Sequence, residues 1–280
     1  MPELPEVEIV CRGLAAKLEG RRLRRVVQRR PDLRFPLPER FADRLQGRRV
    51  IGVNRRAKFI LIRLDDDNIV LGHLGMSGSM VVDRAPVTQF GRHDHVIFET
   101  DDGTAIRFND ARRFGFMDLV ARGELDRHPL LEKLGPEPLS QAFDGAALAA
   151  ALAGKKTPIK SALVDQRVVA GIGNIYASES LYRAGMSPRR LAKTVQGQRA
   201  ERLAGAIKQV LAEAIAAGGS SLRDFVQTNG ELGYFQHRWA VYEREGQPCA
   251  DCDCGAPAAG GVRRIVQGGR STFFCPRRQR

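Results

Sequence analysis

The chain has 280 residues, room for about two domains, and its 43% hydrophobic content can supply a sizeable core. Lysines and arginines (45) outnumber acids (32), and the net charge of +13 points to a polyanionic partner. No segment is apolar and long enough to span a bilayer, and the acidic start has no apolar run of the signal-peptide kind. Nucleic acid is therefore favoured over membrane as the partner, and a cytoplasmic protein is expected.

From about Pro5 to Glu19 the spacing predicts a helix with Val7, Val10, Leu14 and Leu18 on one face. Cys11 on that helix reads as a small buried apolar residue. From Arg21 to about Val120 short apolar runs predict strands at Val50-Ile51, Phe59–Ile62, Asn68–Leu71, Met80–Val82, His95–Phe98 and Ala105–Phe108. Asp65-Asp66-Asp67 and Asp101-Asp102-Gly103 read as turns between hairpin arms, so a mainly antiparallel sandwich is expected. Gly135-Pro136-Glu137-Pro138 is the best linker. Beyond it helices are predicted over 146–153, 159–168, 175–184 and 192–217, the last ended by Gly218-Gly219-Ser220-Ser221. The tail after Glu245-Gly246 reads as a β-hairpin.

Several segments could carry chemistry. With the initiator Met removed, Pro2 would present a secondary amine beside the Glu3 carboxylate. An α-amino group has a pKa of roughly 7.7–8, so a sizeable share is free base near neutrality and can attack an electrophilic carbon. The bland alternative is a helix start with acids in its first turn. His73–Gly78 and Asp110–Gly115 follow strands and read as tight turns. The first presents Met76, and the second Arg112 and Phe114, a set that could enter a base step. Gly171-Ile172-Gly173-Asn174 precedes a helix, with Asn174 a good N-cap whose free N–H groups could grip phosphate. Cys249, Cys252, Cys254 and Cys275 crowd the C-terminus, and in a reducing compartment that suggests metal. Arg278 stands where the second member of a distal pair would fall. Four thiolates including Cys254, three cysteines plus water, and a metal-free hairpin all remain open.

Taken together, Pro2–Glu6, the His73–Gly78 turn, Arg112-Arg113-Phe114-Gly115, Gly171–Tyr176 and the Gly269–Phe274 hairpin resemble, in order and over essentially the whole chain, the bacterial formamidopyrimidine-DNA glycosylases. The resemblance implies an α+β fold. Its parts are an N-terminal antiparallel β-sandwich flanked by helices (1–134), a helical domain with a helix-two-turn-helix (135–245) and a zinc-finger-like β-hairpin (246–280). It implies a bifunctional glycosylase/AP lyase that removes oxidised purines from damaged double-stranded DNA. Pro2 would be the Schiff-base nucleophile, Glu3 the proton-transfer carboxylate, Lys58 an acid–base and phosphate group, and Arg270 the residue of the second elimination. His73, His93, Arg112, Lys156, Asn174 and Arg270 match DNA-contacting positions. Met76, Arg112 and Phe114 match the trio that fills the void left by a flipped base, and the loop from Gly219 to Tyr234 falls where the family covers that base. One zinc ion would sit on the cysteines, with Arg278 the departure from the pattern. A monomer is expected. The competing expectations are a sister enzyme resembling endonuclease VIII that acts on oxidised pyrimidines, and a non-catalytic DNA-damage binder.

Overall fold

The computed structural model describes residues 1–221, 227–228, 230–249, 251–254 and 260–280. The chain divides into two compact units, Met1–Glu132 with Ala217–Tyr234, and Lys133–Ala216 with Phe235–Arg280. Residues 217–234 thus belong with the N-terminal unit although they follow the longest helix of the other.

The first unit opens with α1 (Leu4–Leu18), whose buried face includes Val7, Val10, Leu14 and Leu18, as the spacing predicts. Cys11 is buried there, its thiol on the Asn54 carbonyl at 3.4 Å. Next come β1 (Leu23–Gln28), α2 (Phe41–Leu45), β2 (Val50–Arg56), β3 (Phe59–Leu64), β4 (Asn68–His73), β5 (Ser79–Arg84), β6 (Asp94–Thr100), β7 (Thr104–Asn109) and β8 (Phe116–Ala121). The strands form two antiparallel four-stranded sheets, ordered β1-β6-β7-β5 and β2-β3-β4-β8. The α1 stripe packs into a continuous core with Phe41, Ile60, Ile62, Phe98, Ile106, Phe108 and Met117. The aspartate turns join β3 to β4 and β6 to β7, with Asp67 and Gly103 in the left-handed region at φ 61° and 82°.

Three elements escape the periodicity: β1, β8 and α2. In β1 the exposed Arg24 and Arg25 interrupt the apolar alternation, and in β8 Asp118 does the same. Both strands lie at a sheet edge, where one face can hold charge. The five-residue α2 is shorter than any periodicity window, and only Phe41 and Leu45 are buried in it.

The second unit carries α3 (Gly145–Leu152), α4 (Ile159–Leu163), α5 (Asn174–Arg183) and α6 (Gln198–Ala216), then the hairpin β9 (Arg263–Gln267) and β10 (Arg270–Phe274). Two expected helices are shorter than their apolar patterns. The one expected over 159–168 ends at Leu163, after which the Asp165 side chain accepts the Arg167 amide at 3.0 Å. The one expected over 192–217 begins as a 3-10 turn, Ala192–Thr194, and α6 starts only after Gly197 at φ 52°. Asn174 is not an N-cap: Gly173 holds that position and Asn174 is the first helical residue, which frees its amide for contacts outside the helix.

Candidate functional site

The first unit gathers its candidates at the start of α1. Pro2 is buried, Glu3 is 3% exposed and Glu6 is 2% exposed. A reciprocal capping box fixes this turn: the Glu3 carboxylate accepts the Glu6 amide while Glu6 Oε2 accepts the Glu3 amide at 2.9 Å. Two carboxylates at the positive end of a helix are stabilised by its dipole. Glu6 Oε1 also accepts the Ser220 amide at 2.8 Å, so one carboxylate ties the N-terminal turn to the first residues after α6. Glu6 stands in the opening motif without a role of its own in the sequence reading; the capping signal was its spacing of three from Glu3.

Lys58 is 6% exposed on the two-residue turn between β2 and β3, where Ala57 takes a left-handed φ of 53°. Arg55 anchors that turn to α1, donating through Nε to Glu8 Oε2 and through Nη1 to the Ala57 carbonyl, both at 3.0 Å. His73, opposite Phe59 in the register, stacks on Phe116 at 5.6 Å and 6°. Burial first, then the charges of Lys58 and Arg34, pushes its imidazole down to about 4, so it is neutral near pH 7. Its Nδ1 accepts the Gly75 amide at 2.9 Å and thereby shapes the turn that presents Met76.

An open cleft of about 580 Å³ is lined by Met1, Arg34, His73, Met76, Arg112 and Phe114 among others. Met76 and Phe114 are 38% and 43% exposed on the rim of this cleft, which suits insertion between bases. The Arg112 guanidinium sits 4.7 Å from the centroid of the Phe114 ring. Among the described residues neither Arg34, Arg112 nor Arg113 has an acidic partner within salt-bridge distance, which leaves positive charge for a polyanion. Arg34 is a residue the sequence reading missed, since it lies in an irregular segment without a pattern. His93 is half-buried, its carbonyl accepting the Asp110 amide at 3.0 Å. Of the covering loop expected at Gly219–Tyr234, residues 222–226 and 229 lie outside the described residues. Thr228 packs against Gly13, and Leu232 and Tyr234 are 54% and 66% exposed.

In the second unit Lys156 is exposed. The Asn174 amide donates to the Ser271 carbonyl at 2.9 Å and accepts a hydrogen bond from Lys160, linking α5 to the hairpin. Lys160 is 1% exposed and was also missed, because one lysine among Ile159, Ala162 and Leu163 reads as a solvated face. Arg270 is exposed beside the Gly268-Gly269 turn, whose two positive φ values suit a tight hairpin.

The four cysteine sulfurs converge within 4.8 Å of one another. Cys249, Cys252 and Cys275 have Sγ separations of 3.3, 3.5 and 3.7 Å, and the Cys254 thiol accepts the Cys249 amide at 3.2 Å. A tetrahedral ion with bonds of about 2.3 Å needs sulfurs about 3.8 Å apart, so four thiolates fit a zinc-type ion. Arg278 does not compete for this space. Its guanidinium lies 4.8 Å from the Tyr182 ring centroid and pairs with Asp251 at 3.0 Å. Cys254 from the proximal loop thus supplies a fourth sulfur to the cluster, and Arg278 lies outside it, against Tyr182 and Asp251.

The chain is similar to known proteins over its whole length. Residues 1–117 match the formamidopyrimidine-DNA glycosylase N-terminal domain and residues 134–226 the formamidopyrimidine-DNA glycosylase H2TH domain. Formamidopyrimidine-DNA glycosylases from Rhodospirillum centenum and Acidiphilium cryptum are 62% and 61% identical, with full coverage of both chains. The crystal structure of the MutM (Fpg) protein from Thermus thermophilus superposes with a TM-score of 0.85 at 42% identity, covering 99% of this chain and 98% of that one. A Lactococcus lactis Fpg mutant in complex with a Fapy-dG containing DNA superposes at 0.88, with 31% identity and full coverage of both.

Proposed function

This chain belongs to the formamidopyrimidine-DNA glycosylase family, and from that premise we propose that it excises oxidised purines, 8-oxoguanine and formamidopyrimidines, and then cleaves the strand at the resulting sugar. The observation that carries the reading is the N-terminal turn, where buried Pro2 and Glu3 are locked by the Glu6 capping box in the same unit as buried Lys58 and the Met76/Arg112/Phe114 cleft.

A stacked base hides C1′, so the nucleotide must first be flipped, at a cost of a few kcal/mol. Met76, Phe114 and Arg112 offset part of that cost by filling the gap. Removal of Met1 frees the Pro2 nitrogen. This amine attacks C1′, the N-glycosidic bond breaks, and the departing base takes its electron pair and a proton. The sugar ring opens to a cationic iminium, with Glu3 placed to move the proton to the ring oxygen. The iminium acidifies C2′–H. Loss of that proton expels the 3′-phosphate, and a second elimination expels the 5′-phosphate, with Lys58 and Arg270 assigned to these steps. His73, His93, Lys156 and Asn174 are assigned to the DNA strand, His73 through the turn it shapes. Cys249, Cys252, Cys254 and Cys275 would hold a single zinc ion that cross-links the hairpin bearing Arg270. The division at 134 and 245, a monomeric state and a nucleoid-associated place in the bacterial cytoplasm complete the proposal.

The test is borohydride trapping on a duplex with 8-oxoguanine opposite cytosine, with mass mapping of the adduct. An adduct on Pro2 is expected. Binding of abasic DNA without trapping or cleavage, in protein lacking Met1, would reject the enzyme in favour of a damage binder. Preference for oxidised pyrimidines would reassign the substrate.

A further inference from the structure

Two loops carry the void-filling side chains, and they are not independent. Asp110, fully buried, opens the second loop and reaches the first. Its Oδ1 accepts the Ser77 hydroxyl at 2.6 Å from the Met76 turn and the Arg112 amide at 3.3 Å. Its Oδ2 accepts the Gly115 amide at 2.8 Å, beyond Phe114. The Arg112 amide also donates to Ser77 Oγ at 3.3 Å. The Asp110 backbone is braced too, for its carbonyl accepts His95 Nε2 at 2.8 Å and its amide donates to the His93 carbonyl.

Backbone packing closes the same joint. Gly75, at φ 63°, approaches the Phe114–Gly115 backbone so closely that any Cβ would collide with it. Arg113 is held in the left-handed region at φ 56°, a conformation that persists in a bulky residue only when its neighbours over-determine it. A buried carboxylate is costly unless its lone pairs are satisfied. Here the donors come from both loops: the Arg112 and Gly115 amides from Asp110's own loop and the Ser77 hydroxyl from the Met76 turn, so parting the loops costs the carboxylate its shortest hydrogen bond.

We propose that Asp110 is a positioning residue that clamps the Met76 turn and the Arg112–Phe114 loop into one preorganised wedge, so that the three side chains enter the DNA together. This rests on the wedge role assigned above. Two separately mobile loops would each lose conformational entropy during flipping, whereas a clamped pair has lost it on folding. The clamp should therefore matter most when a stacked, paired base has to be displaced.

The experiment measures single-turnover rates on a duplex with 8-oxoguanine opposite cytosine and on the same duplex with an abasic site, where no base must be unstacked. Full-length wild type, S77A, M76A and the S77A/M76A double variant are compared. S77A is expected to lower the ratio of excision to abasic incision by about fivefold or more, and M76A to cost clearly less in the S77A background than alone. D110N, checked for folding by its melting temperature, should lower the ratio further; S77A decides the matter if D110N does not fold. An unchanged ratio in S77A, or a Met76 cost equal in both backgrounds, overturns the clamp. An M76A protein with a wild-type ratio overturns the wedge role itself and the clamp with it.

Discussion

The N-terminal candidate corner and the C-terminal cysteine hairpin hold their candidate residues by different physical means. The corner stands on two sheets and a helix whose apolar faces share one large core, and its buried carboxylates Glu3 and Glu6 accept from backbone amides. The hairpin is two five-residue strands with a small apolar cluster around Tyr182, Val241, Val262, Phe273 and the cysteines. A core of that size does little against chain entropy, so a cross-link at the four cysteines would stabilise the hairpin more than the corner. Charge placement follows the same division, since the corner buries Glu3, Glu6, Lys58 and Asp110 whereas the hairpin exposes Arg263, Arg264 and Arg270.

The largest expected effect would break the corner alone. P2G should reduce borohydride trapping by about a hundredfold or more, because a primary glycine amine must replace a fixed pyrrolidine, while DNA binding measured by gel shift persists. Unchanged trapping would mean that another amine attacks. Next, C275S or removal of metal by a chelator should disorder the hairpin. Affinity for abasic DNA should fall about tenfold or more, with the β-sandwich signals in NMR spectra intact. Loss of the sandwich signals as well would refute the independence of the two regions. R278C should leave zinc content per chain as in wild type, since Cys254 already completes the thiol set; a rise by metal analysis would show that set to be incomplete.

A smaller effect concerns pH. His73 has a depressed pKa of about 4 against an ordinary value near 6.5. Above pH 6.5 it is neutral whether folded or not. As pH falls from 6.5 toward 4 the unfolded chain takes up a proton that the folded chain refuses, so stability falls, by about 3 kcal/mol at the lower end. H73N, whose side-chain oxygen can still accept the Gly75 amide, should flatten that slope in urea titrations, and an undiminished slope would assign it elsewhere. The smallest effect lies outside both regions. Asp144 caps α3 by accepting the Ala147 amide at 2.8 Å, and D144A should cost about 1 kcal/mol in chemical denaturation without altering trapping or zinc content.

Much of this was legible before any coordinates. The α1 stripe follows from helical periodicity because one face of that helix is buried, whereas β3, β4 and β6 are legible as short apolar runs because nearly all their residues are buried. The edge strands β1 and β8 did not announce themselves, since their charged positions erase the alternation. The candidate catalytic residues were legible mainly through ordered motifs that resemble a known family, as Pro2-Glu3 alone also reads as an ordinary helix start.

What the sequence by itself determined was the chemical inventory and its local frames: an amine beside a carboxylate, turns bearing Met76 and Phe114, four clustered cysteines and a strong positive charge. Only the tertiary structure decided which groups share an environment. It gathered Cys254 with the other three thiols, buried Lys160 against Asn174, lowered the pKa of His73 by burial and then by the charges of Lys58 and Arg34, and joined the Asp110 carboxylate to Ser77 of the neighbouring turn. The physical reason is that periodicity reports which face of an element is dry. Partner choice, pKa and ligand sets depend instead on distances between segments far apart in the chain, and those distances exist only after the core has formed.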